Sequence, residues 1–328
     1  MLNLFASIIH FHMKSVSVLF LLAIAAISAC NSSRQNNDSK ELFPALPDSA
    51  QAISLMGDTL YPSSPYANGS SKYDTAKMNY QASPDNVDNI IWYGRWTAYK
   101  GDFREAIRIY TEGISKFPQD ARLYRHRGHR YISIREFDRA IADFEKAASL
   151  IEGKKDEIEP DGQPNAFNIP IGSLHSNIWY HLGLAYYLKN DLAKALPVYE
   201  RAVRESNNDD KLTSTTHWLY MTLRLLGKKE EAEKILEPIQ PAMNIIENKA
   251  YHQLCLLYKG LLPADSLTGE TGSASSNDAV AYGVANWYYY NGNHEKAKAL
   301  YEQILKGKIW ASFGYIAAEA DYVRRFRK

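Results

Sequence analysis

From about residue 89 onward, apolar and small residues recur at helical rather than strand spacing. A small residue is followed twelve positions later by alanine at Gly94/Ala106, Gly128/Ala140, Gly183/Ala195 and Ala285/Ala297; Tyr220/Ala232 keeps the spacing with a large first member. Four positions past each alanine stands Tyr110, Phe144, Tyr199, Leu236 or Tyr301, and three further on Gly113, Ala147, Ala202, Ile239 or Ile304. Positions three and four apart share one helix face, so each block reads as an amphipathic second helix behind a shorter-patterned first one. Gly101, Gly227 and Gly292 stand five residues before the alanine, where a tight interhelical turn needs a flexible residue. All six tryptophans (Trp92, Trp96, Trp179, Trp218, Trp287, Trp310) fall in first helices, and for Trp179 and Trp310 core packing is the expected role.

Taking Gly94, Gly128, Gly183, Tyr220, Cys255, Ala285 and Gly314 as first-helix anchors, the intervals are 34, 55, 37, 35, 30 and 29 residues. This pattern resembles the tetratricopeptide repeat, a helix-turn-helix unit of about 34 residues. The unit with Gly94, Tyr110 and Pro118 carries it most clearly, although Thr97 replaces the usual tyrosine; the unit with Trp179, Leu182, Gly183, Tyr186, Ala195, Tyr199 and Ala202 is nearly as good. The resemblance implies an all-α, right-handed superhelical solenoid of antiparallel helix pairs over residues 72–328. Repeats are expected near 87–120, 121–154, 176–209, 213–246, 248–275 (degenerate, interrupted by Pro263) and 278–308, with a capping helix over 309–326. The basic end Arg324-Arg325-Phe326-Arg327-Lys328 suits a solvent-facing cap, and Tyr73 to Gln81 reads as an orphan second helix at the other end. The 55-residue interval contains an insertion at 152–172, too rich in Pro and Gly for a regular helix and too apolar, with Ile158, Phe167 and Ile169, for a plain linker.

The N-terminus has a different character. Lys14, the apolar run Val18 to Ala26 and Ile27-Ser28-Ala29-Cys30 form a charged start, a hydrophobic region and small residues before a break, with Met13-Lys14 a better signal start than Met1. The run is too short to span a bilayer. Ile-Ser-Ala-Cys resembles the bacterial lipobox, which implies cleavage after residue 29 and lipidation of Cys30. The expected organisation is a signal peptide over 1–29, a flexible anchored tether over 30–71 whose apolar patch Ala52 to Leu60 is placed to dock on the body, and the solenoid. Exported, lipid-anchored residence in the bacterial cell envelope follows, and Asn31, in place of a retaining aspartate, favours the outer membrane.

Composition narrows the functions. With 38 Lys+Arg against 37 Asp+Glu the chain carries a formal charge of +1, which gives no electrostatic basis for nucleic-acid binding. Of the two cysteines, Cys30 belongs to the signal and Cys255 sits at a small packing position, so neither forms a disulfide framework and Cys255 reads as an inert buried thiol. No hydrolase elbow, P-loop, paired-Cys zinc site or HExxH is present, so no catalytic residue, metal or cofactor is assigned.

Candidate chemistry lies on the first helices. At about 100° per residue, positions six, three and two before each anchor and one after it form a stripe opposite the packed face. It contains Trp92, Arg95, Arg122, Arg125, His126, His129, Asn177, Tyr180, His181, His217, Trp218, His252, Tyr282 and Asn286. Five of the seven histidines beyond the signal fall there. In a solenoid this stripe would line a concave groove, where Arg and His can donate to a carboxylate or phosphate and the aromatics provide apolar walls. Family resemblance implies a protein or peptide partner held in that groove by an adaptor or assembly scaffold, with membrane contact through Cys30. The alternative is a small anionic-ligand or catalytic site covered by the insertion, with Glu159 or Asp161 set against Arg122, Arg125 or Arg130. A solvated charged face is the bland reading.

Overall fold

The computed structural model describes residues 43, 45–64, 70–268 and 277–327. The chain divides into two units, Met1–Ala45 and Leu46–Lys328, and only Phe43 and Ala45 of the first are described. The signal segment and Cys30 lie outside the described residues.

The second unit is a series of antiparallel helix pairs. After α1 (Ser71–Ala82) come α2 (Val87–Tyr99) with α3 (Phe103–Lys116), α4 (Ala121–Ser133) with α5 (Phe137–Ile151), and α6 (Leu174–Leu188) with α7 (Leu192–Arg204). α8 (Asp209–Leu225) pairs with the short α9 (Lys229–Lys234), and α12 (Asp278–Tyr290) with α13 (His294–Leu305); between them α10 (Lys249–Tyr258) packs on α8 and α12, and the single turn α11 (Asp265–Thr268) on α12. α14 (Phe313–Phe326) closes the series. First helices start where a side chain satisfies their free amides: Asn86 accepts from the N–H groups of Asp88 and Asn89, Asp120 from Arg122, Asn208 from Lys211.

Each pair closes on the spacing seen in the sequence. A Cβ on Gly94 would lie 2.5 Å from the Tyr110 ring, and one on Gly183 would lie 2.6 Å from that of Tyr199, so the anchor must be small because the second helix lays an aromatic on it. Tyr110, Phe144, Tyr199 and Tyr301 are buried, as are all the paired alanines; a fully buried side chain of this kind contributes about 2 kcal/mol through removal from water. The turn five residues before the alanine is left-handed in five pairs: Gly101, Gly227 and Gly292 as the pattern requires, but Arg135 (φ 68°) and Asn190 (φ 64°) in the other two. In the degenerate repeat Gly260 enters that conformation (φ 75°) two positions early relative to its anchor, which cuts α10 short.

Two expectations are corrected. Residues 46–64 are not free tether but a folded strap containing β1 (Ala52–Ile53) antiparallel to β2 (Thr59–Leu60). Gln51 Oε1 accepts from the Arg104 amide at 3.1 Å, and Trp310 Nε1 donates to the Tyr61 carbonyl at 2.7 Å. The C-terminal helix, in turn, is not a solvent-facing cap. It packs on α12, α13 and α6, with Glu319 and Asp321 fully buried. Arg135 from the α4–α5 turn meets Glu319 at 2.5 Å and donates to the Trp310 carbonyl at 2.8 Å, while Arg324 donates to the Leu188 carbonyl. Strap, second repeat and C-terminal helix are thereby fastened at one buried ion pair, to which Leu55 N–H also donates.

Candidate functional site

The site forms where the insertion crosses the first helices. Its neck is a short antiparallel bridge, Ile158 to Ser173, with Leu174 N–H donating to the Glu157 carbonyl and Glu159 N–H to that of Gly172. Beyond the neck the loop is pinned by polar contacts. Arg95 Nη1 donates to the Pro160 carbonyl at 2.6 Å, Asn208 Nδ2 donates to Ile171, and Asn165 Nδ2 donates to Glu247 Oε1 at 2.5 Å. Asn165 also accepts from the amides of Phe167 and Ile169, an Asx-type turn that orders the loop tip. Gly162 sits so close to the Tyr99 ring that a Cβ would fall 2.7 Å from it. The insertion's apolar side chains face outward: Ile158, Phe167 and Ile169 are 67, 70 and 48% exposed.

What the loop sends inward is a carboxylate. Glu159 Oε2 lies 3.1 Å from Arg125 Nε and accepts from Asn177 Nδ2 at 3.0 Å; Oε1 lies 3.3 Å from His126 Nε2. Asp161 stands 3.9 Å from Arg95. Arg125 Nη1 donates to His126 Nδ1 at 3.0 Å, so that nitrogen is the acceptor and the neutral imidazole carries its proton on Nε2, toward Glu159. Burial holds His126 well below the usual histidine range, and Arg125, Arg95 and Arg130 add to this. Burial does the same to His181, and it pushes His217 down to about 3. These imidazoles are uncharged hydrogen-bonding groups rather than cations.

Beneath the loop lies a cavity of about 320 Å³ between α6, α8 and α10. Arg95, Arg125, Asn177, Tyr180 and His181 from the predicted stripe line it, with Glu159 and Asp161 from the insertion. The other stripe residues lie elsewhere. Arg122 pairs with Asp120 and Asp88, and His252 Nε2 donates to the Gln240 carbonyl. Trp92 lines a separate depression between α1 and α2, with the Arg95 guanidinium 4.6 Å from its ring centre. His129 is covered by Phe313 of α14, ring centres 5.1 Å apart.

His217, Trp218, Tyr282 and Asn286 are not surface groups but interior ones. The cause is α14. Tyr282 donates to Asp321 at 2.8 Å, Arg325 donates to Asn286 Oδ1 and to Tyr301, and Asn286 donates to Tyr187. The stripe of α12 is thus covered by the chain's own last helix. Trp218 Nε1 donates to Tyr180, whose hydroxyl also meets that of Tyr251. Burial raises the Cys255 thiol well above its ordinary range, as its packing position suggests.

The sequence reading missed Lys211, Ser214, Thr215, Glu247, Tyr251 and Phe313, all of which line the cavity. Lys211 lies one turn before the first stripe position of α8, a helix that begins earlier than the repeat pattern indicates. Glu247 is placed by a buried carboxylate, Asp210, which accepts from the amides of Ile246, Glu247 and Asn248 and folds the 239–248 loop against α8. No periodicity in that loop signals the role.

Models of the tetratricopeptide repeat match residues 98–155, 176–209 and 279–306. Together with the helix pairs described above, these matches show that the chain carries tetratricopeptide repeats. Such repeats are typically non-catalytic interaction modules, and the chain is a protein-interaction scaffold in that sense. Among curated proteins it is similar to the BBSome complex member BBS4 of Bos taurus, 27% identical over 149 residues, which are 45% of this chain and 24% of that one. The match thus spans about a quarter of that relative's length. Among solved structures it is similar to YrrB, described as a TPR protein with an unusual peptide-binding site, with 17% identity, a TM-score of 0.41 and coverage of 75% of this chain and 96% of that one.

Proposed function

We propose that this protein is a lipid-anchored scaffold of the bacterial cell envelope, held at the outer membrane through Cys30, which acts as adaptor or assembly factor by binding a short segment of a partner polypeptide. The observation that carries the reading is the cavity under the insertion. With α14 seated on the late repeats and the insertion across the early ones, about 320 Å³ stays open. That is at the small end of ligand sites, roughly 300–1,000 Å³, and suits a chain terminus or one or two side chains rather than an extended strand. The same enclosure favours a second reading, a small polar ligand in place of a peptide.

A photo-crosslinking side chain in place of His175, which lines the cavity, separates the two readings in cells. Irradiation should trap one defined polypeptide there and none from the exposed Lys154; adducts of small mass only would transfer the site to the second reading. The address is tested separately. Cys30→Ser should abolish labelling by radioactive palmitate and move the protein from the membrane pellet to the soluble fraction. Undiminished labelling would remove the anchor from the proposal.

A further inference from the structure

The cationic stripe of the sequence suggests an anionic guest, but the folded chain has already neutralised it. Arg125 is matched by Glu159, Arg95 by Asp161 and the Pro160 carbonyl, and Arg122 by Asp120 and Asp88. The histidines of the cluster are buried and held neutral. What a guest meets is decided by the charges that line the cavity and are not used this way.

Three cations line it, Arg95, Arg125 and Lys211, against five carboxylates, Asp156, Glu159, Asp161, Glu205 and Glu247. Two arginine–carboxylate pairs cancel, and Glu205 is held by Arg201 from outside the cavity, 2.7 Å away. Lys211, Asp156 and Glu247 are left; none of the three makes an ion pair within 4 Å among the described residues, but Asp156 attracts the Lys211 ammonium from farther off, so Glu247 is the carboxylate least answered by a cation. The Lys211 ammonium is bound to Ser173 Oγ at 2.9 Å and Asn207 Oδ1 at 3.2 Å. Asp156 accepts only backbone amides, from Glu157 and His175, and Glu247 accepts only the Asn165 amide. One carboxylate is in excess, in a recess walled by Trp179, Tyr180, Tyr251 and Phe313. The Tyr180 and Tyr251 hydroxyls bond each other at 3.0 Å, so these residues offer ring surface, and such rings attract cations. The neighbouring Trp179 already carries the Arg201 guanidinium 4.0 Å from its ring centre.

We infer that the partner segment entering this cavity is cationic, a lysine or arginine side chain whose charge is answered by Asp156 and Glu247 and whose aliphatic stem lies on Tyr180 and Tyr251. The inference rests on the polypeptide reading above and adds the partner's chemistry to it. It replaces the anionic guest expected from the stripe.

Selection of a random heptapeptide library on the full chain tests it. Lysine or arginine should be enriched at one position, and a synthetic copy of the selected peptide should bind about tenfold more weakly to the Asp156→Lys/Glu247→Lys double variant. Glu247→Gln should give a smaller loss, and Lys154→Glu, exposed and away from the cavity, none. Both carboxylates are on exposed residues, so thermal melting of the variants should match the parent, and Glu247→Gln, which keeps an acceptor for Asn165, separates loss of charge from loss of that loop contact. Enrichment of aspartate or glutamate, or equal binding to the double variant, would overturn the charge assignment and leave the polypeptide reading intact. Failure to enrich any peptide would overturn both.

Discussion

Lowering the pH from 7.5 to 5.5 is expected to cost this fold about 4 kcal/mol of stability, enough to bring a domain of ordinary stability close to unfolding. His126, His181 and His217 are at most 5% exposed, and burial depresses the affinity of each for a proton. In the unfolded chain each titrates near 6.5. Folded-state values below the unfolded one mean that the unfolded chain binds more protons in acid, so the stabilisation is complete above about 6.5 and falls as pH drops through and below that value. Three such groups lose about 1.4 kcal/mol each by pH 5.5. The neighbours reinforce the sign around His126, where Arg125, Arg95 and Arg130 oppose a further positive charge. Urea unfolding followed by circular dichroism at several pH values measures the slope, which should reach at least three protons per molecule below pH 6, since burial lowers His129 as well. A flat profile between 7.5 and 5.5 would show that these imidazoles are solvated. His217→Phe, which removes one group from the interior, should lower the slope by about one proton.

The same histidines show where reading the sequence succeeds and where it stops. Their common stripe is real geometry, since helix periodicity places His126, His181 and His217 on corresponding faces of α4, α6 and α8. Whether that face meets water depends on elements far away in sequence. Phe313 of α14 covers His129, and Tyr251 and Tyr258 of α10 flank His217. Repeat spacing describes neighbouring pairs because their contacts are local and repeated, down to the glycine beneath Tyr110 and the one beneath Tyr199. It is silent on the closing contacts, such as Arg135 with Glu319, which occur once and leave no period. Arg135 even occupies a left-handed turn where the pattern suggests glycine, and its side chain then carries the fastening. Of the 46–64 strap only the apolar patch Ala52 to Leu60 is legible in the sequence; its attachments, through the Gln51 side chain and the backbone groups of Leu55, Met56 and Tyr61, leave no pattern.

Replacing Glu159 by glutamine is expected to destabilise the protein by about 3 kcal/mol and to free the insertion first. Glu159 and Arg125 are 8% and 9% exposed at their side chains, so the guanidinium left behind would be a buried charge with no counter-charge on it. Little else resists opening. The insertion turns its larger apolar groups to solvent, and beyond its neck the remaining attachments are the half-exposed Asp161–Arg95 pair, Gly162 against Tyr99 and single hydrogen bonds at Arg95, Asn165 and Asn208. A segment held this way opens at a free energy well below that of global unfolding. Limited proteolysis should therefore cut Glu159→Gln within 152–172 at least tenfold faster than the parent, while the helical circular dichroism stays unchanged. Loss of stability alone does not distinguish an electrostatic latch from ordinary packing, but a second variant does. Removing both charges together, as Glu159→Leu with Arg125→Met, takes away the uncompensated ion and should restore most of the stability and the protease resistance. If the double variant is cut as fast as the single one, the loop is held by the shape of its neck and not by the carboxylate it buries.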